Sequence, residues 1–195
     1  MQNDMYIITI HRSPYFILTT AITLAYTTLI MKRSIHIIEK IGSALSLART
    51  ASLMDLEQFG FNYNKDYALL IDDDILIKNT YSELAEIYTD AEKRDINIIG
   101  NYADAHGNSV HRLVKNKEVV KLPDKKEQYV SMENYNCGLG FYYGKIPKDY
   151  IFHMDNMGED YNFFKDNADL HKKTFLDNRI KLAHYKSAYV DIIDE

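Results

Sequence analysis

Cysteine is nearly absent: Cys137 is the only one in 195 residues. No internal disulfide can form, and no cysteine-rich zinc site can be built. A lone thiol fits a reducing compartment, so a cytoplasmic location is expected. Eight glycines and three prolines are too few for a fibrous or low-complexity chain. Tryptophan is missing, but 16 tyrosines and 8 phenylalanines leave ample aromatic material for a core. Positive charge is not in excess either. The net charge of −5 argues against nucleic-acid binding through bulk electrostatics. No membrane span is expected. Residues 13–31 are uncharged and flanked by Arg12, Lys32 and Arg33, and their length approaches a span. On a helical wheel, however, Leu18, Ala21, Ile22, Ala25 and Leu29 form one stripe, and Thr19, Thr20, Thr23 and Thr27 lie opposite. That pattern predicts an amphipathic helix with the apolar stripe against a core. Asp4 sits where a signal peptide would be basic, and no small-residue cleavage site follows.

What is present is ordinary globular composition, 46% hydrophobic and 26% charged. The length suits one domain over 1–195, read as a first half (1–104) and an elaborated second half (105–195). Strands are predicted at Met5–Ile10, Ile35–Ile38, Tyr67–Ile71 and Ile96–Ile99. Helices are predicted between them. Pro14 suits the first turn of one. Ser43 caps another over Ala44–Phe59, stopped by Gly60. Asn79 or Thr80 starts a third, to about Lys93. Alternating strand and helix implies an α/β fold with a parallel sheet covered on both faces. The second half changes rhythm. Gly107-Asn108 and Asn116-Lys117 suggest hairpins within Ala105–Pro123, and one or two strands fall within Tyr129–Tyr143. Gly158-Glu159-Asp160 opens a helical stretch, and short β-like runs occupy Lys181–Ile193.

The chemistry concentrates at Asp72-Asp73-Asp74, directly after the apolar run from Tyr67 to Ile71. In an extended chain Asp72 and Asp74 share a face. Two such carboxylates repel unless a cation or proton lies between them. Oxygen ligands of this kind suit Mg²⁺ or Mn²⁺, with phosphate oxygens completing the shell. The carboxyl edge of an open parallel sheet is also where ligands bind. A solvated turn capping the next helix is the plainer alternative. Glu159 and Asp160 could serve the dipole of a helix start, or one could be a general base. His184 follows Leu182-Ala183 and is either a surface histidine or a metal ligand. Tyr135, Tyr142, Tyr143 and Tyr161 could stack on sugars, but core positions are the commoner use of such rings. Cys137 reads as a small buried hydrophobe.

Taken in order, these features resemble a GT-A-fold glycosyltransferase. The resemblance rests on the strand ending at Thr9-Ile10-His11-Arg12, the stretch Ile41 to Arg49, the Asp72–Asp74 triplet, and Gly158-Glu159-Asp160 with His184. It spans nearly the whole chain, which is short for the family and resembles its small virus-encoded members. It implies a GT-A (Rossmann-like) fold with a mixed, mainly parallel sheet flanked by helices and a small second β-element in the C-terminal half. It implies hexosyltransferase-like activity, moving a sugar from a nucleotide-diphosphate donor to a glycan or protein acceptor, with Mn²⁺ or Mg²⁺ and in the host cytoplasm for a viral chain. By the same resemblance Asp72, Asp74 and His184 would bind the metal. Thr9, His11, Arg12, Arg49, Asp72 and Asp73 would contact the donor. Asp160 would be the base, with Glu159 second, and the reaction would invert. Two alternatives stand beside it: a haloacid-dehalogenase-like phosphatase, which also places Asp-x-Asp after a strand, and a non-catalytic nucleotide- or sugar-binding structural protein.

Overall fold

A computed structural model describes residues 4–11, 18–41, 45–103, 113–115, 118–120, 128–133, 135, 138–155 and 158–184. In chain order they form β1 (Met5–His11), α1 (Leu18–Ile30), β2 (Ile35–Ile41), α2 (Leu45–Gln58), β3 (Ala68–Asp72), β4 (Ile75–Ile77), α3 (Tyr81–Arg94), β5 (Asn97–Ala103), β6 (Leu113–Lys115), β7 (Glu118–Val120), β8 (Tyr129–Ser131), β9 (Phe141–Gly144), α4 (Glu159–Asp166), α5 (Ala168–Lys172) and β10 (Thr174–His184). Pro14, Ser43, Gly107-Asn108, Cys137 and everything after His184 lie outside the described residues.

Local chemistry explains the element ends. Gly60, at φ 78°, closes α2 in the left-handed conformation that glycine adopts without cost. Phe61 N–H then reaches back to the Leu56 carbonyl and Gly60 N–H to that of Glu57, a Schellman motif with Phe61 and Leu56 both buried. Thr80, not Asn79, caps α3. Its hydroxyl accepts from Glu83 N–H while the Glu83 carboxylate accepts from Thr80 N–H. Asn79 instead joins β10, donating to the Arg179 carbonyl and accepting from Lys181 N–H.

The large sheet runs β2-β1-β3-β9-β5-β10-β4, with β8 also on β10. It is a mixed α/β sheet. β2, β1, β3, β5 and β10 point one way, and β9, β4 and β8 the other. β6 and β7 pair antiparallel as a separate two-stranded sheet; Asn116-Lys117 between them lie outside the described residues. Even positions of β1 (Tyr6, Ile8, Ile10) pack with Leu53 and Leu56 of α2 and Phe163 and Phe164 of α4. Met5 and Ile7 pack on the opposite face with Leu24 of α1 and Leu84, Ile87 and Tyr88 of α3. Tyr142 and Tyr143 are buried in these two cores rather than presented to a ligand.

Three expectations need correction. First, α1 is rotated relative to its predicted stripe. Ile22, Ala25 and Leu29 are exposed, while Thr20, Leu24, Thr27, Thr28 and Met31 face inward. The reason is the edge strand β4. Thr20 Oγ1 donates to the Ile75 carbonyl at 2.9 Å and accepts from Ile77 N–H at 3.2 Å. Buried backbone polar groups must be satisfied, and a hydroxyl does so where an aliphatic chain cannot. Second, Ile75–Ile77, given no element from sequence, is a strand of its own. Third, β10 starts at Thr174, before the run that began at Lys181, and the short α5 precedes it. No helix among the described residues is long and apolar enough to cross a membrane.

β3 and β4 are separated by two residues, yet lie four pairings apart through β9, β5 and β10. A flat sheet would put them roughly 19 Å apart, about twice the reach of that link. The sheet therefore curls. The bend sits in β10, where residues 177–180 lie opposite Gly100 alone before pairing with β5 resumes at Lys181. Asp177, fully buried, accepts from Arg179 N–H, and the Arg179 guanidinium continues to Asp90 and Tyr129.

Candidate functional site

β3 is buried from Ala68 to Ile71 and emerges at Asp72. Asp72 pairs with Ile10, on the α2 face of the sheet, and its N–H donates to the Gly140 carbonyl at 3.0 Å. The extended alternation ends there. Asp73 and Asp74 form the turn to β4, with Asp73 buried and Asp74 half-buried.

Arg49 lies on the inward stripe of α2 with Ser52, Leu53 and Leu56 and is 3% exposed. A guanidinium this deep must be paired. Its Nη2 donates to Asp72 Oδ1 at 3.0 Å. Its Nη1 donates to Glu159 Oε1 at 3.0 Å and also to Asp160 Oδ1. The Phe152 ring lies 5.8 Å from the guanidinium carbon. One buried cation thus ties the acidic turn to the glycine-acid-acid motif, whose Glu159 lies 110 residues after Arg49. Gly158, at φ 92°, makes the turn that opens α4 and sets Glu159 and Asp160 in its first turn. Glu159 is buried, and Asp160 remains about a third exposed.

The electrostatics follow from this count of charges. Burial opposes ionisation of Arg49, but Asp160, Asp72 and Glu159 outweigh it and raise its pKa. The Asp72 carboxyl is pushed above its ordinary range. Burial is the largest cause; Arg49 opposes it, and Asp160 and Asp74 add to it. Several carboxylates therefore share one guanidinium, and their mutual repulsion is incompletely neutralised.

Arg49, Asp72, Glu159 and Asp160 are brought together by direct bonds, and Asp74 acts on Asp72 through its charge. Asp73 adjoins them in the turn. His184 reaches the same rim by backbone register, pairing with Ile75, the residue after Asp74. Thr9 is not brought in: it pairs with Ile71 and is buried on the face away from α2. His11 ends β1, its side chain lies outside the described residues, and Arg12 lies outside them altogether. Among the described residues no group of three His, Cys, Asp or Glu side chains is placed to hold a metal ion. Sequence reasoning missed Phe152, whose place under Arg49 follows from the strap 145–155 crossing α2. It also missed Asn162, fully buried on α4, which donates to the His153 carbonyl and holds that strap to the helix. Neither carries a sequence signal. Arg49 did carry one: an arginine four and seven residues before Leu53 and Leu56 falls on a core stripe.

No family model and no curated protein matches the chain. Among solved structures, the crystal structure of A197 from STIV, a turreted icosahedral archaeal virus, is similar to it. The two share 16% identity with a TM-score of 0.56, over 94% of this chain and 86% of that one. At this identity the likeness is one of fold.

Proposed function

We propose that the chain is a GT-A-type glycosyltransferase, using a divalent cation to move a sugar from a nucleotide-diphosphate donor to an acceptor hydroxyl. The observation that carries this reading is Arg49, which gathers Asp72, Glu159 and Asp160 at the carboxyl end of β3. Ligands of open α/β sheets bind at such an edge. The likeness to A197 supports the frame.

The donor set fits a hard dication. Mg²⁺ is commonly held by one or two carboxylates and completed by substrate phosphates, so a cage of three protein ligands is not required. Asp72 and Asp74 would supply the carboxylates, with His184 at the adjacent register position. When bound, the ion would stabilise the departing diphosphate as a Lewis acid. The chain's own residues do the rest. Arg49 fixes the carboxylates of Asp72 and Asp160 in one geometry. Glu159 balances the buried guanidinium. Asp160, partly exposed, accepts the proton of the incoming hydroxyl at the oxygen that Arg49 leaves free, and attack opposite the leaving group inverts the anomeric carbon.

Calorimetric titration with UDP, GDP and their sugar conjugates, in Mn²⁺ and in chelator, tests this. One nucleotide is expected to bind only with metal. Asp74→Ala should lose that binding while keeping its melting midpoint. Asp160→Asn should keep binding and lose transfer. Binding indifferent to chelator or to Asp74→Ala would sink the metal assignment, and normal transfer by Asp160→Asn would remove it as base.

A further inference from the structure

A second concavity runs beside the acidic site. α2 forms one wall, and residues 149–151 of the strap form the other. Its volume is about 270 Å³. Clefts for drug-sized molecules run roughly 300–1,000 Å³, so this one suits a single side chain. Leu53 is buried at its floor, and Met54 and Ile151, each 66% exposed, stand at its rim. Tyr63 and Tyr150 supply ring faces. Both are fixed from behind: Tyr63 packs edge-on against Phe61, and Tyr150 packs against Phe152 and Phe163 and donates to Asp166 at 3.2 Å.

Two exposed carboxylates, Glu57 and Asp149, complete the lining. Both charges reach the Tyr63 hydroxyl, whose pKa is raised first by burial and then by Glu57 and Asp149. Among the described residues no lysine or arginine forms an ion pair with either. Asp149 sits at φ 56°, in the left-handed region that aspartate adopts more readily than most non-glycine residues.

We propose that this cleft receives one basic side chain, arginine or lysine, of a partner polypeptide. The aliphatic stem lies along Leu53, Met54 and Ile151, and the charged end meets Glu57 and Asp149 across the face of Tyr63. An anionic surface would meet the same two carboxylates and be repelled. An uncharged apolar group would desolvate them without compensation. The cleft adjoins the acidic site. Thr50, on its wall, follows Arg49 in sequence, and the Thr50 hydroxyl accepts from the N–H of Phe152, whose ring lies against Arg49. If the chain is the transferase proposed above, the cleft selects a polypeptide acceptor. That extension rests on the transferase reading; the binding of a basic side chain does not.

The test uses the full chain with ¹³C-methyl methionine, without nucleotide or metal. It is titrated with the peptide acetyl-Gly-Arg-Gly-amide and with its citrulline counterpart, which keeps the shape and removes the charge. The Met54 methyl, assigned by Met54→Leu, is expected to shift with the arginine peptide at millimolar concentrations. The citrulline peptide should bind about tenfold more weakly or worse. Glu57→Gln with Asp149→Asn should abolish that preference, and both positions are exposed enough to leave folding intact. Equal binding of the two peptides overturns the charge recognition. An unmoved Met54 methyl at about 50 mM peptide, a hundredfold weaker than about 0.5 mM binding, overturns the cleft as a receptor. Neither result bears on nucleotide binding, so the two readings fail separately.

Discussion

Arg49 occupies a position on α2 that burial pattern alone would give to leucine. Its charge is tolerable there because three carboxylates surround it, and they are tolerable in turn because of it. Removing one partner of such a buried pair leaves the rest uncompensated. Arg49→Met is therefore expected to cost about 3–5 kcal/mol, read from the urea midpoint. Adding Glu159→Gln should recover part of the loss; no recovery would show that the guanidinium acts by packing on Phe152. Asp72 gives a pH signature. Its pKa is raised in the folded protein, so its contribution is fully present below the unfolded value, near 3.8, and is lost as pH rises through the folded one. Asp72→Asn cannot ionise. Its stability relative to wild type should rise as pH climbs above about 4 and stay constant below about pH 4. A difference independent of pH would exclude the raised pKa, and with it both the burial and the repulsion behind it.

At the scale of elements, α1 shows tertiary demand overriding the helical wheel. Two helical faces were available, one aliphatic and one hydroxylated. β4, an edge strand of three residues, took the Thr20 hydroxyl because its backbone had to be bonded. Thr20→Val keeps the shape and strands those groups, so a loss of about 1–3 kcal/mol is expected. Leu29→Lys, on the stripe that sequence assigns to the core, should change stability by no more than about 0.5 kcal/mol. The reverse ranking in thermal or urea unfolding would restore the sequence-based orientation.

At the scale of the whole molecule, the curl of the sheet makes the site. It returns β4 and the end of β10 to the rim where β3 ends, and so sets His184 against the residue after Asp74. Gly100 permits the curl. A Cβ there would collide with the Leu182 side chain and lie 2.8 Å from Ile180 Cγ2. Gly100→Ala is expected to cost about 1–3 kcal/mol by overpacking. It should also loosen β10 from β4, seen as faster hydrogen exchange at Lys78 N–H, which donates to the Lys181 carbonyl. Unchanged exchange would separate Gly100 from the closure.

By itself the sequence determined the elements of the first hundred residues other than β4, because period, the cap at Thr80 and Gly60 are local signals that act over one or two turns. It also marked the acidic turn after β3 and the acids of α4 as chemically charged positions. Tertiary structure alone decided which face of α1 is buried, that Ile75–Ile77 pairs with β10, and that the two acidic motifs meet on Arg49. These outcomes depend on pairings across tens to more than a hundred residues. Burial demands that every backbone polar group and every charge find a partner, and only the folded chain brings those partners within reach.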